Sequence, residues 1–455
     1  MMKSTKILVA NRSAVASRVI RALKELGIPS VAVYSEADKN APYLNQADDA
    51  VFIGDSPAAK SYLNEDALFE AMTRTGATAL HPGYGFLSEN PIFAQKVIDA
   101  GHVFVGPSPQ WIEKMGHKTQ ARDFAKSVGW PIGSGSELLP DDDQLVIEMA
   151  RSIGYPLIVK PAEGGGGIGM LVAQNEDKLL SAIERARSMA KRGFGSDALY
   201  LESLCLKPRH IEFQVIGDQY GDIRVLFERD CSIQRRHQKI IEEAIAPGID
   251  RSLIQVQCEG IARGLRTLGY DSLGTVEMLY DTAGHFRFLE MNTRLQVEHG
   301  VTEEVLGIDL VQSQIRIALG ERLKDVLPDD LSPQGHSIQA RIYAEDSKRF
   351  YPSPGKLQAF EMPVGKNIRV ETGYCVGMDV TQYYDPLLAK VIVHAPDRSQ
   401  AITQLIAALR QTRIEGLSTN IEALIQIIQS EHFTSGNVHT DLAMEVVQEA
   451  NRKRA

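Results

Sequence analysis

The sequence predicts a mixed α/β and α+β chain of three domains: an N-terminal parallel βαβ domain, a central domain with a glycine-rich lid, and a C-terminal mainly β domain with helices. Three observations predict it. Short apolar runs alternate with amphipathic helical segments over the first hundred residues, a run of consecutive glycines breaks the middle of the chain at Gly164 to Gly167, and strand signals joined by short turns dominate from Ile211 onward.

Ile7-Leu8-Val9-Ala10 is a short apolar run that ends at the polar turn Asn11-Arg12-Ser13. An amphipathic segment follows, with Val15, Val19, Ile20 and Leu23 at helical spacing, and stops at Gly27. Val31 to Tyr34, Ala77 to Leu80 and Val103 to Gly106 continue the rhythm, which implies a parallel sheet with helices on both faces. No GxGxxG follows the first strand, so a dinucleotide-binding reading lacks its phosphate loop. From about Pro131 the pattern changes: Tyr155 to Lys160 reads as a strand, and Pro161 to Met170 as a loop opening into Leu171-Val172. Ile211 to Ile216, Ile223 to Phe227 and Gly274 to Met291 read as antiparallel strands. A third region begins near Ser332, runs as strands through Gln339–Tyr343 and Val391–Val393, and closes with a helix near Ser399 to Arg410.

Composition narrows the function classes. The 455 residues are 44% hydrophobic and 24% charged, close to the globular average, which excludes a disordered, collagen-like or disulfide-scaffold chain. No apolar stretch approaches the ~20 residues of a membrane span. Met1 to Lys6 leads straight into a strand, not into a signal peptide's apolar region. Cys205, Cys231, Cys258 and Cys375 are scattered without CxxC spacing and read as reduced thiols of a cytoplasmic protein. A net charge of -9 argues against nucleic-acid binding.

The glycine run is the first chemical signal. Four successive glycines, Gly164 to Gly167, cannot form a comfortable strand interior; they let backbone N–H groups approach a phosphate, or they hinge a lid. Lys160 ends the preceding strand and can offer a cation to the same phosphates. A Walker A loop is excluded, because Gly116-His117-Lys118-Thr119 has Trp111 where its first glycine belongs.

The second signal is a carboxylate pair. A four-residue loop from Thr282 to His285 sets Glu277 opposite Glu290, and like charges so placed are destabilising unless a cation sits between them. Asn292 falls on the same face as Glu290, and two carboxylates with an amide oxygen suit Mg²⁺. Beyond them Arg294, Gln296 and Glu298 alternate, and in an extended chain all three point one way. An arginine and a glutamine cradle a small planar oxyanion, with the neighbouring carboxylate as general base; an arginine–glutamate pair on a surface strand is the plainer alternative. The stretch Glu228 to Lys239 is densely charged and reads as a solvated face or an anion-binding patch.

Taken together, these residues resemble biotin carboxylase of the ATP-grasp superfamily. The likeness rests on Tyr155 to Met170, Glu228 to Glu243 and Phe288 to His299, and extends through His81 to Asn90, Pro352-Ser353-Pro354-Gly355 and Tyr384-Asp385-Pro386. It implies an N-terminal domain over 1–115, an ATP-grasp domain over 116–331 with a lid at about 131–204, and a biotin carboxylase C-terminal domain over 332–455.

The resemblance also implies roles. Lys118 and Lys160 match lysines that hold ATP phosphates, Gly164, Gly165, Gly166 and Gly167 the lid, and Met170, Glu202, Leu204, His210, Gln234 and His237 the nucleotide site. Glu277 and Glu290, with Asn292, match the Mg²⁺ (or Mn²⁺) ligands. Lys239, Arg294, Gln296 and Val297 are implied to bind bicarbonate, Glu298 to be its base, and Arg341 to stabilise the biotin enolate.

Some positions depart from the family pattern. Ser13-Ala14 stands for Gly-Glu, His117 for an aspartate, Ile168 for a basic lid residue, and Ile245 and Gly300 each for a proline, the last expected to loosen the loop after Glu298. No Ala-Met-Lys-Met sequence is present, so biotin is expected on a separate biotin carboxyl carrier protein, with a carboxyltransferase partner completing an acetyl-CoA or acyl-CoA carboxylase. A homodimer is expected, with Arg18 and Glu25 at matching interface positions. Two other readings are an ATP-grasp ligase acting on a different nitrogen nucleophile and a catalytically weak, regulatory nucleotide-binding homologue.

Overall fold

The computed structural model describes residues 5–163 and 169–454; Gly164 to Gly167 and Ile168, on which the lid reading rests, lie outside the described residues. In the N-terminal part, strands Ile7–Val9, Ser30–Ser35, Asp49–Gly54, Ala79–His81 and Val103–Phe104 form an all-parallel sheet. Ile7 and Val9 enter one apolar cluster and Leu8 and Ala10 another, so both faces are buried, as a βαβ sheet requires. Strand Ile7–Val9 is flanked by Ser30–Ser35 on one side and Ala79–His81 on the other. At this switch point the direction of strand addition reverses. Asn11, just beyond Ile7–Val9, ties the loop after Ala79–His81 to it, donating from Nδ2 to the carbonyls of Pro82 (2.7 Å) and Tyr84 (2.8 Å).

Residues 131–204 contain a small antiparallel sheet of Leu171–Ala173, Leu157–Pro161 and Leu199–Ser203, covered by helices Asp143–Ile153 and Glu176–Phe194. It keeps its own apolar core, with Val146, Leu157, Val159, Leu179, Ile183 and Leu201 packed together. Asp142 and Asn175 cap the two helices by accepting from backbone N–H groups of their first turns.

The largest sheet is antiparallel and eight-stranded, in the order Phe286–Asn292, Leu273–Tyr280, Arg209–Gly217, Ile223–Arg235, Gln238–Ala244, His336–Tyr343, Leu387–Ala395, Ile368–Thr372. It runs without a break across residue 331, because Gln238–Ala244 pairs directly with His336–Tyr343. Among the described residues two peptide bonds are cis, Tyr155–Pro156 and Ala244–Ile245. No helix among the described residues is long and apolar enough to cross a membrane, and the four cysteines are free thiols.

Several expectations need correction. The charged stretch Glu228 to Lys239 is not a solvated face: it forms the end of one long strand, a tight turn at Arg236-His237 and the start of the next strand. Glu228, Arg229, Asp230 and Arg235 are buried there, paired respectively with Arg251, Glu212, Arg209 and Glu345. The chain does not close at the helix Arg398–Gln411, since helices Ile421–Ile428, Glu431–Thr434 and Leu442–Arg454 follow. Arg18 is not presented on a surface; it is buried inside the chain, with Nη2 2.9 Å from Glu303 and 2.6 Å from Asp309. Gly300 lies in the first turn of helix His299–Leu306 rather than in a loop.

Candidate active site

The carboxylate pair is set by a compensated register. The turn is Asp281–His285, one residue longer than the sequence predicts, closed by Asp281 Oδ1 accepting from the N–H groups of Ala283 (3.0 Å) and His285 (2.9 Å). Met278 therefore pairs with Phe288, and an unbroken ladder would set Glu277 opposite Leu289. A bulge at Leu289 absorbs the extra residue, and Glu277 faces Glu290.

Their surroundings differ sharply. Glu277 Oε1 accepts from Lys239 Nζ (2.8 Å), Asn292 Nδ2 (2.7 Å) and Gln296 Nε2 (2.8 Å), while Oε2 lies 2.8 Å from His210 Nε2. Burial would push this carboxyl up, but Lys239 and His210 outweigh it and hold Glu277 well below the usual carboxylate range. Among the described residues Glu290 has neither a hydrogen bond nor an ion pair, and burial together with the Glu277 charge raises it, against the pull of Lys118. A carboxylate without a partner, facing a second carboxylate, fits a divalent cation. The amide oxygen of Asn292 points to Arg294 Nη2 at 2.9 Å.

After Asn292 the chain leaves the sheet, bends at Arg294 and turns at Val297-Glu298 into helix His299–Leu306. The extended alternation predicted for Arg294, Gln296 and Glu298 is not followed, yet the bend brings the three side chains to one place. Arg294 donates from Nη1 to Gln296 Oε1 (2.6 Å) and from Nε to Glu89 Oε2 (2.9 Å). Gln296 passes this contact on to Glu277, its amide spanning the guanidinium and the carboxylate.

Lys239 lies among three carboxylates: Glu212 at 2.5 Å, Glu277 at 2.8 Å and Glu298 at 2.8 Å. Burial opposes its charge, but the acids hold it protonated well above the ordinary lysine value. Glu298 lies between Lys239 and Arg341, whose Nη2 is 2.9 Å from Glu298 Oε2 and 2.5 Å from Glu242 Oε1. Against the upward push of burial, Lys239, Arg341 and Arg229 keep Glu298 ionised far below its usual range.

On the small three-stranded sheet, Glu202 is bound by Lys160 and, at 2.8 Å, by Arg122. Both outweigh burial and lower its carboxyl. Lys118 opens helix Lys118–Ser127 and is half-buried; burial, and then the charge of Lys160, lower its ammonium, with Glu290 opposing. Gln234 Nε2 donates to His210 Nδ1 at 3.0 Å, which leaves Nε2 of His210 as the donor toward Glu277. Met170 and Leu204 are half-buried beside the small sheet. His237 is not brought to the cluster: it stands exposed at the hairpin tip with φ +65°, without a side-chain hydrogen bond or ion pair among the described residues. Val297 contributes only backbone polar groups, and its carbonyl accepts from Lys390 Nζ at 2.7 Å.

Reading the sequence missed Glu212, Arg229, Glu242, Glu89 and Arg122. Glu212 was within reach, since His210 and Glu212 alternate on one strand face beside Glu277. Glu89 and Arg122 meet their partners only through folding across long stretches of chain.

Comparison with known proteins agrees along the chain. Residues 3–112 match the family described as biotin carboxylase, N-terminal domain, 117–326 the ATP binding domain of the carbamoyl-phosphate synthase L chain, and 339–445 the biotin carboxylase C-terminal domain. Biotin carboxylase 2 of Bacillus subtilis (strain 168) is 45% identical over 437 residues, covering 96% of this chain and 98% of that protein. The biotin carboxylase domain of Hydrogenobacter thermophilus 2-oxoglutarate carboxylase, solved as a dimer with MgADP, ADP and bicarbonate, superposes with a TM-score of 0.93 at 42% identity, covering 97% of each chain. The Campylobacter jejuni biotin carboxylase–βγ-ATP complex gives 0.94 at 40% identity, covering 98% of this chain and 99% of that one. With its parallel N-terminal sheet, its small module with a separate core and its ring of paired carboxylates, the chain belongs to the biotin carboxylase family.

Proposed function

We propose that this protein catalyses the ATP- and bicarbonate-dependent carboxylation of biotin held on a separate carrier protein, the first half-reaction of an acyl-CoA carboxylase. The observation that carries the reading is the ring of Lys239, Glu298, Arg341, Arg294 and Gln296, joined through Lys239 and Gln296 to Glu277, which faces a Glu290 carboxyl that has no partner among the described residues. Bicarbonate is a poor electrophile, and transfer of the ATP γ-phosphoryl to one of its oxygens gives carboxyphosphate and ADP.

In this reading Arg294, Gln296 and Lys239 receive the bicarbonate oxyanion, with the Val297 N–H as a further donor. A substrate anion drawing Lys239 toward itself removes a cation from Glu298, which then becomes basic enough to take the bicarbonate proton. Lys118 and Lys160 neutralise the ATP phosphates, Lys160 by leaving Glu202. Glu290 and Glu277, with Asn292 beside them, would hold Mg²⁺ (or Mn²⁺), which supplies charge neutralisation to the transferring phosphoryl group. Carboxyphosphate releases CO₂ beside the biotin ureido ring, the liberated phosphate takes the ureido proton, and Arg341 stabilises the resulting anion. The partners of this activity are a biotin carboxyl carrier protein, a carboxyltransferase subunit and a second copy of the chain.

ADP release from MgATP and bicarbonate, with and without free biotin, tests the reading. Stimulation by biotin that vanishes without bicarbonate supports it. Bicarbonate-dependent hydrolysis that biotin leaves unchanged would assign the site to another acceptor.

A further inference from the structure

Lys390 stands in the middle of the apolar strand Leu387–Ala395 and is fully buried. Its neighbours across the sheet are Arg341 on one side and Glu371 on the other. Its Nζ lies 2.5 Å from Glu371 Oε2 and donates to the Val297 carbonyl at 2.7 Å. Lys390 is not the only cation at Glu371: Arg369 pairs with Oε1, and Arg21 and Arg18 approach the same oxygen at 3.3 and 3.6 Å. Burying an ammonium is costly, and the hydrogen bond to Val297 is what this one adds.

A matching contact sits one residue earlier. The Gln296 carbonyl lies 2.7 Å from Nδ1 of the buried His299, and a carbonyl can only accept, so Nδ1 carries the proton. Burial lowers this imidazole to about 3, which keeps it neutral at physiological pH. The peptide bonds on either side of Val297 are trans. In a trans peptide the carbonyl and the following N–H point in opposite directions. Anchoring the Gln296 carbonyl on His299 thus fixes the direction of the Val297 N–H, and anchoring the Val297 carbonyl on Lys390 fixes the peptide that enters Glu298.

We propose that Lys390, with His299, is a positioning residue: the two hold both peptide planes of Val297 and so orient the N–H donor and the base of the oxyanion site. This rests on the bicarbonate reading of Val297 and Glu298. Valine has no polar side chain, so its N–H is the only donor it can offer an anion, and that donor is useful only if its direction is fixed.

Steady-state ADP release, with bicarbonate and ATP varied separately, tests the proposal in Lys390→Met and in the double variant Lys390→Met/Glu371→Gln. Both variants are expected to raise the bicarbonate KM about tenfold or more, the weight of a charge-assisted hydrogen bond, while the ATP KM stays within about twofold. Lys390→Arg, which keeps the charge and the donors, is expected to retain most of the bicarbonate affinity. The double variant removes the buried carboxylate together with the lysine, and Arg369 and Arg18 keep Glu303 as a partner, so it is expected to fold where the single variant fails. A wild-type bicarbonate KM in either variant overturns the proposal, as does a parallel rise of both KM values. Full bicarbonate-dependent turnover in Glu298→Gln, run alongside, would instead defeat the reading of the site itself.

Discussion

Glu277 and Glu290 oppose each other across one hairpin, yet Glu277 is met by four donor groups and Glu290, among the described residues, by none. The imbalance places the need for a cation on Glu290.

Glu290 is raised by burial and by Glu277, so in the metal-free protein its carboxylate costs stability. The favourable contribution is present below the ordinary carboxylate pKa and is lost as pH rises through the raised one. Metal-free protein is therefore expected to lose stability from mildly acidic pH upward, and Mg²⁺ to restore more at about pH 8 than at about pH 5. Glu290→Gln should abolish both the pH loss and the Mg²⁺ shift in thermal melts, and lower Mg-dependent turnover about a hundredfold or more.

Arg341 serves Glu242 and Glu298 together. Arg341→Ala leaves Glu242 without its cation and Glu298 with Lys239 alone, and is expected to cost about 3–5 kcal/mol of stability in denaturant unfolding. Of the two activities, biotin carboxylation should fall further than bicarbonate-dependent ATP cleavage. Equal losses would remove Arg341 from the biotin step.

Lys118 is lowered first by burial and then by Lys160. With rising pH it loses its proton before an ordinary lysine does, and with it a phosphate cation. The ATP KM is expected to climb on the alkaline side, below the ordinary lysine range, and Lys118→Arg to flatten that rise. An unchanged alkaline profile in the arginine variant counts against a phosphate contact.

Ser13 adopts φ +55°, a left-handed conformation that favours glycine, and its Oγ is buried without a partner among the described residues. Here a serine in a conformation suited to glycine has a visible cost. Ser13→Gly is expected to stabilise the protein by about 0.5–1 kcal/mol in urea unfolding, with turnover unchanged. The reverse strain is available at Gly373, where a Cβ would lie 2.2 Å from Ser13 Cα.

Much of this was legible in the sequence because the signals were local. Strand-like runs flanking a short turn locate Glu277 and Glu290, and the βαβ rhythm finds the parallel sheet. What failed was local in another sense. The number of turn residues at Asp281–His285 and the bulge at Leu289 are two errors that cancel in the register. The burial of Arg229 and Arg235 was invisible because charged residues look solvated until their partners, Glu212 and Glu345, arrive from elsewhere in the chain. Lys390 carried a signal that went unread: a lone ammonium amid Leu-Leu-Ala and Val-Ile-Val is out of place unless something polar meets it.

The ladder between Gln238–Ala244 and His336–Tyr343 joins what sequence divides into central and C-terminal parts. A fragment ending at residue 331 would strip that ladder from one whole edge, leaving unpaired backbone groups beside Lys239 and the acids it holds. Such a piece should aggregate rather than fold, whereas the described part of residues 131–204 keeps an apolar core of its own. Continuity is thus written into the sheet itself: Lys239 and Arg341 stand on adjacent strands, one on each side of the sequence boundary, and neither half of the chain holds the cluster alone.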